Sequence, residues 1–207
     1  MEKFSKNQLE RYPVYLKYFK ELENQGVEII SSPHVASKLG YSEEQVRKDL
    51  QAISKEPGRP KKGRNVRALI EDLESFLGYR EETSAVLLGV GHLGGALLNY
   101  PAFGEMGFKI IAGFDVDPMK IGKAIAEKPI YPVEKLAEFL KKKSVEIVII
   151  AVPAKAAQST TDLAIKSGAK AIWNFAPIHL EVPSGIVVEN VNLASSLAVL
   201  SHRLNNR

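Results

Sequence analysis

The run Gly89-Val90-Gly91-His92-Leu93-Gly94 carries the strongest chemical signal in the chain. Glycines at its first, third and sixth places permit a tight turn, close approach of a pyrophosphate, and close contact of helix with strand. Such a motif standing alone is weak. Here it grows out of the apolar run Ala85-Val-Leu-Leu-Gly-Val90 and leads into Ala96-Leu-Leu98, which places it between a buried parallel strand and a helix. The helix start would then present unpaired amides to phosphate charge. Asp115 lies 21 residues beyond Gly94, at the end of the apolar run 109–114. A carboxylate there can accept hydrogen bonds from an adenosine ribose and would repel a 2′-phosphate, which favours NAD(H) over NADP(H). Asp117-Pro118 reads as a turn and helix start.

Two further strand ends, Ala151-Val152-Pro153-Ala154 and Asn174-Phe175-Ala176-Pro177, fall where such folds bind ligands. Each could line the nicotinamide half of a dinucleotide, or each could simply be a strand ended by proline. A dehydrogenase also needs a proton relay beside the nicotinamide. His92 would act through its backbone in the phosphate loop, while His34 and His202 belong to helices. His179 is the one positional candidate for a general acid, and a surface or packing role suits it better. No substrate domain is expected after the nucleotide fold, and no histidines show metal-ligand spacing. The expectation is a binding protein, not an enzyme.

A second chemistry lies nearer the N-terminus. Residues 47–67 hold Arg47, Lys48, Lys55, Arg59, Lys61, Lys62, Arg64 and Arg67 against Asp49 and Glu56, a net of +6. Such a run often marks a solvated loop. Here it follows a helical hairpin. Ser32 can cap a first helix with Pro33 at its first position and Val35, Ala36 and Leu39 inward, and Gly40 stops it. Ser42-Glu-Glu-Gln45 is a capping box for a second helix with Val46, Leu50 and Ile53 on one face. That leaves Arg47 and Lys48 facing outward, able to meet phosphates or base edges. Helix, recognition helix and basic Gly/Pro loop in this order suggest a winged helix.

The elements around these groups follow from periodicity. Ser5-Lys-Asn-Gln8 can open a first helix; Pro13 should break or kink it, and Tyr15, Leu16, Tyr18, Phe19 and Leu22 should form its core stripe. A third amphipathic helix spans about 66–77 and stops at Gly78. Further strands are expected at 145–150, 169–173 and 186–188, with a helix through 156–165. The fold class is α/β: a winged-helix domain over 1–80, a doubly wound parallel-sheet domain over 81–191, and a terminal apolar helix over 192–207.

The 207 residues suit two small domains, and 45% hydrophobic with 25% charged residues excludes collagen-like and wholly disordered chains. No run of 18 uncharged apolar residues exists and no secretory signal is visible, so a cytoplasmic protein without a membrane span is expected. Zero cysteines remove disulfides, thiolate metal sites and thiol chemistry.

Taken together, Arg11-Tyr-Pro-Val-Tyr15, Val46-Arg-Lys-Asp-Leu50, the Gly89–Gly94 loop running into Ala96-Leu-Leu-Asn-Tyr100, Phe114-Asp-Val-Asp-Pro118, Ala151-Val-Pro-Ala154 and Asn174-Phe-Ala-Pro177 make the chain similar to the Rex redox-sensing repressors over nearly its whole length. The resemblance implies a homodimer whose N-terminal winged helix binds pseudo-palindromic operator DNA and whose Rossmann domain binds NADH or NAD⁺. DNA would be held when NADH is scarce and released when NADH binds. Gly89, Val90, Gly91, His92, Leu93, Gly94, Tyr100 and Asp115 take cofactor positions, with Val152, Pro153, Asn174, Phe175 and Pro177 near the nicotinamide. Arg47, Lys48, Arg59, Lys61, Lys62 and Arg64 take DNA positions. Arg11, Tyr100, Asn192 and Leu193 match switch and dimer positions, the terminal helix reaching across to the partner subunit. Three departures stand out: Asn192 replaces an aspartate, the wing 56–64 lacks the aromatic, glycine-rich pattern, and His92 stands where asparagine is common. A compact NAD-dependent oxidoreductase and a CoA- or nucleotide-binding regulatory module are the alternatives.

Overall fold

The computed structural model describes residues 4–55, 63–79 and 82–206. It divides into two compact units, Met1–Glu81 and Glu82–Arg207.

In the first unit, α1 (Lys6–Asn24) is capped by Ser5, whose side chain accepts from the Gln8 amide. The helix runs unbroken through Pro13, so of the break or kink expected there the break does not occur. Proline there removes one backbone donor, but Tyr12, Tyr15, Leu16, Tyr18, Phe19 and Leu22 are all buried along the same helix. Their burial on both sides of the proline outweighs one missing bond. The hairpin α2 (Ser32–Leu39) and α3 (Glu43–Ile53) follows, with Gly40 in the left-handed conformation between them. Ser31, not Ser32, caps α2 and accepts from the His34 amide, which moves Pro33 one place into the first turn. Ser42 caps α3 as the capping box predicted.

Strand β1 (Ile29–Ile30) pairs antiparallel with β2 (Arg64–Asn65), and α4 (Val66–Leu77) follows. This ribbon returns the chain from the basic run to the core. A Cβ at Gly63 would stand 2.7 Å from the Ile30 carbonyl oxygen, so the approach of the two strands requires glycine there. The wing residues Arg59, Lys61 and Lys62 lie outside the described residues.

The second unit is a seven-stranded sheet. Its strands are β3 (Thr83–Leu88), β4 (Phe108–Asp115), β5 (Ala124–Ile125), β6 (Lys128–Pro132), β7 (Ile147–Ile150), β8 (Ala171–Asn174) and β9 (Val187–Asn190), in the order β5-β6-β4-β3-β7-β8-β9. All neighbours are parallel except β5 and β6. The helices are α5 (His92–Leu98), α6 (Ala102–Glu105), α7 (Leu136–Lys143), α8 (Ala154–Lys166) and α9 (Leu193–Asn205). From β3 the chain first builds toward β4 and β6, then crosses to β7 on the other side. The strand order therefore reverses at the β3–β7 boundary, where open sheets of this kind form a ligand crevice beyond their carboxyl ends. Strands β3, β4 and β7 supply its walls because both sheet faces are covered and the strands read as apolar runs.

Candidate functional site

The crevice is built first of backbone. Gly89 directly follows β3 with φ +93°, and a Cβ there would lie 2.6 Å from Val152 Cγ1 and 2.8 Å from the Ala151 carbonyl oxygen. The loops after β3 and β7 thus touch at a glycine. Gly94, inside α5, has still less room: its Cβ would stand 2.0 Å from the Gly89 carbonyl oxygen. Gly91 is the opposite case, with open space where a Cβ would go and no side chain to cap α5. Two glycines are demanded by packing and the middle one leaves space for a ligand's backbone approach. His92 and Leu93 are exposed beside it, and Val90 is buried under the loop.

Asp115, at the end of β4, is 9% exposed. Its Oδ2 accepts from the Val90 amide at 2.8 Å and from Lys120 Nζ at 3.1 Å, and its Oδ1 accepts from the Asp117 amide at 2.9 Å. Burial pushes its pKa up, but the Asp117 amide, the Lys120 ammonium and the Val90 amide together hold the carboxyl below its ordinary value. The carboxylate therefore stays charged and also fastens the glycine loop. Lys120 also reaches Asp117 at 3.5 Å. Sequence reasoning missed Lys120; its spacing from Asp115 was the available signal. Val116 and Met119, on the same turn, are exposed. A charged acceptor, an open Gly91 and exposed apolar groups beside them suit a dinucleotide's ribose, pyrophosphate and adenine.

The β8 end behaves differently from its expected role. Asn174 is fully buried; its Nδ2 donates to the carbonyls of Ala176 and Ile178 and to Asn190 Oδ1, while its Oδ1 accepts from the Ala176 amide. Its polar atoms are used to shape the 175–178 turn, so it sets where Phe175 and Pro177 stand. Val152 and Phe175 are half-buried and Pro153 and Pro177 are exposed. Phe175 packs edge-on against Trp173 at 4.6 Å, Trp173 against Phe103 at 5.6 Å, and Phe103 against Tyr100 at 5.0 Å. An aromatic row thereby links exposed Tyr100 to the turn that follows β8. His179 is exposed, and among the described residues no cluster of acidic or histidine side chains could hold a metal.

In the first unit, Arg47 and Lys48 are exposed on α3, as the helical pattern requires. Lys48 is held by Glu44 at 2.7 Å. Arg64 turns inward instead: its Nη1 donates to Ser54 Oγ at 3.0 Å, and burial lowers its pKa. Its placement therefore fits a tie between β2 and the end of α3 better than an outward phosphate contact. Arg11 grips Asp49 of α3 through Nε at 2.6 Å and Nη2 at 2.8 Å, and Tyr15 donates to the same carboxylate at 2.9 Å. The Asp49 hydrogen bonds raise the Arg11 pKa. Asp49 was missed because a lone carboxylate on an otherwise apolar helix face has no sequence signature of its partner. Asn192 caps α9 by accepting from the Ser195 amide, and Leu193 begins that helix.

Residues 3–51 match the family described as "Putative DNA-binding protein N-terminus", and residues 80–178 match the CoA binding domain family. The Redox-sensing transcriptional repressor Rex of Caldicellulosiruptor bescii is 41% identical over 199 residues, covering 96% of this chain and 91% of that protein. The chain belongs to the Rex family. A Clostridium botulinum Rex is 40% identical over 96% of this chain and 94% of its own length. The crystal structure of RSP, a Rex-family repressor, with β-NAD⁺ and operator DNA has a TM-score of 0.93 and 35% identity, covering 100% of this chain and 94% of that one. RSP with β-NADH gives 0.89 and 34%, over 100% and 96%. These relatives are redox-sensing transcriptional repressors, in line with the expectation of a binding protein. No helix among the described residues is long and apolar enough to cross a membrane.

Proposed function

We propose that this chain is a cytoplasmic, homodimeric repressor that reads the NADH/NAD⁺ ratio, holding operator DNA when NADH is scarce and releasing it when NADH binds. The observation that carries this is the union in one chain of a helical hairpin exposing Arg47 and a crevice whose glycine loop is pinned by Asp115. RSP was crystallised with β-NAD⁺ and operator DNA and with β-NADH, which supports the same pairing of ligands here.

Gly89, Gly91 and Gly94 with the amides of His92 and Leu93 would receive the pyrophosphate, Val90 would hold the loop through its bond to Asp115, and Asp115 would receive the ribose. Val152, Pro153, Phe175 and Pro177 would line the nicotinamide, with Asn174 fixing the turn that carries the last two. The cofactor supplies a ring whose two redox states differ by a hydride and a positive charge. The chain's part is to bind one state more tightly in one dimer arrangement, since a ligand shifts an equilibrium only by its differential affinity. Domains at 1–80, 81–191 and 192–207 divide these tasks. Arg11, Tyr100, Asn192 and Leu193 are assigned to the switch and dimer contacts; the exposed Leu197, Leu200 and Leu204 of α9 suit a helix that packs on a partner subunit.

Coupling of about 1–3 kcal/mol between the two sites would change DNA affinity roughly 5–150-fold. A gel-shift titration across NADH/NAD⁺ ratios on site-selected DNA tests it, and operator affinity indifferent to NADH would overturn it. The match of 80–178 to the CoA binding domain family favours one second reading, a CoA-responsive regulator. Trp173 is the sole tryptophan and abuts Phe175, so quenching of its fluorescence by NADH but not by CoA decides between them.

A further inference from the structure

An acidic residue at the end of β4 ordinarily excludes a 2′-phosphate by charge. In this chain that charge is not left bare. Lys120 Nζ lies 3.1 Å from Asp115 Oδ2 and 3.5 Å from Asp117 Oδ2. Without it, two carboxylates would face the ribose edge of the crevice; with it, half of their charge is offset.

Lys120 is not needed to hold Asp115 in place, because the Val90 and Asp117 amides already anchor both carboxylate oxygens. Its side chain is 36% exposed, on a flexible stem, and an ammonium has three donors of which the two carboxylates use two. The third is available to a ribose hydroxyl or a phosphate oxygen. A phosphate arriving at the 2′ position could draw the ammonium off Asp117 while Asp115 keeps its backbone partners.

We propose that Lys120 sets how strongly this site discriminates NAD(H) from NADP(H), by offsetting the carboxylate charge that would repel a 2′-phosphate. The inference rests on the NAD(H) reading of the crevice. It makes Asp117 a determinant of the opposite sense: it adds negative charge and draws the ammonium away from an incoming phosphate.

The test is direct titration of the full chain with NADH and with NADPH, followed by Trp173 fluorescence or calorimetry. The quantity read is the ratio of the NADPH and NADH dissociation constants. Lys120→Gln raises that ratio about tenfold, the scale of one lost charge-assisted contact. Asp117→Asn lowers it; its side-chain oxygen still accepts from the Met119 amide, so the turn persists. Lys120→Arg, which keeps the charge, restores the wild-type ratio to within about twofold. A purely structural role would weaken both dinucleotides together and leave the ratio unmoved. NADH binding with an unmoved ratio in Lys120→Gln, or with both variants moving it the same way, overturns the proposal alone. Wild-type protein that binds neither dinucleotide overturns the NAD(H) reading itself, and the proposal with it. If Lys120→Gln fails to fold, an unmoved or raised ratio in Asp117→Asn is the overturning result.

Discussion

Gly91 and Gly94 look equivalent in the sequence motif, yet their surroundings set them apart. Alanine at 94 would drive a Cβ to 2.0 Å from the Gly89 carbonyl oxygen, so the loop and α5 must separate. Alanine at 91 enters open space at an ordinary φ of −82°. Gly94→Ala should therefore lower the urea midpoint of the second unit, at a cost of about 1–3 kcal/mol typical of overpacking. Gly91→Ala should melt like the wild type while losing NADH affinity, because its methyl group occupies the ligand's approach; calorimetry with denaturation separates the two effects. Asp115 adds a pH signature. Its folded pKa is depressed, so the folded chain holds fewer protons than the unfolded one near the carboxylate range and gains stability above it. Asp115→Asn should accordingly cost most stability above about pH 4, with the gap from wild type closing as pH falls through the depressed value. Urea melts of both proteins across that range check it. A gap that widened toward acid would contradict the assigned sign.

The elements that position these groups were legible where pattern and chemistry agreed. Strand β3, the glycine loop, β4 ending at Asp115, and the Ser42-capped α3 all follow from periodicity joined to a capping or turn residue. Strands β5 and β6 were not read, because Ala124–Ile125 is too short for a periodic signal and Lys128–Pro132 carries two prolines. They hold their place by edge pairing, β5 on β6 and β6 on β4, which local sequence cannot announce. The break expected at Pro13 failed for a similar reason: burial of the tyrosines in α1 is a tertiary effect. At the candidate site, the glycines and Asp115 were readable as a motif and Lys120 could have been read from its spacing to Asp115, whereas Asp49 and the structural use of Asn174 depend on partners outside any motif pattern. Asp49 ties two elements together, since Arg11 and Tyr15 of α1 converge on its carboxylate in α3. Asp49→Ala leaves the largely buried Arg11 guanidinium without its counter-charge, and loss of one partner of such a pair costs about 3–5 kcal/mol. Urea unfolding should show that loss, and weaker DNA binding should accompany it because α3 is no longer tethered to α1. Wild-type stability in the variant would remove the clamp.

At the scale of the whole molecule, charge decides how the repressor meets DNA. The +4 total conceals a +6 stretch over 47–67 that runs from α3 into the basic run after it. Binding to phosphates releases condensed counterions, so the slope of log affinity against log salt counts the contacts made. The two exposed cations of α3 should not count alike. Arg47 is exposed and makes no salt bridge with a described residue, whereas Lys48 spends its ammonium on Glu44 at 2.7 Å. Neutralising Arg47 in a two-fold dimer removes one contact from each half-site, and Arg47→Ala should flatten the slope by about 1.8, twice the roughly 0.9 expected per phosphate. Lys48→Ala should flatten it less, because its charge is already partly offset before DNA arrives; Glu44→Gln should free the lysine and steepen the slope. Lys61→Ala combined with Lys62→Ala should flatten it if the basic run tracks the backbone. Fluorescence anisotropy on one operator across salt concentrations measures all four. Equal slopes for Arg47→Ala and Lys48→Ala would mean that the Glu44 pair dissolves on binding, and a slope untouched by Arg47→Ala would move the DNA contact off α3 altogether.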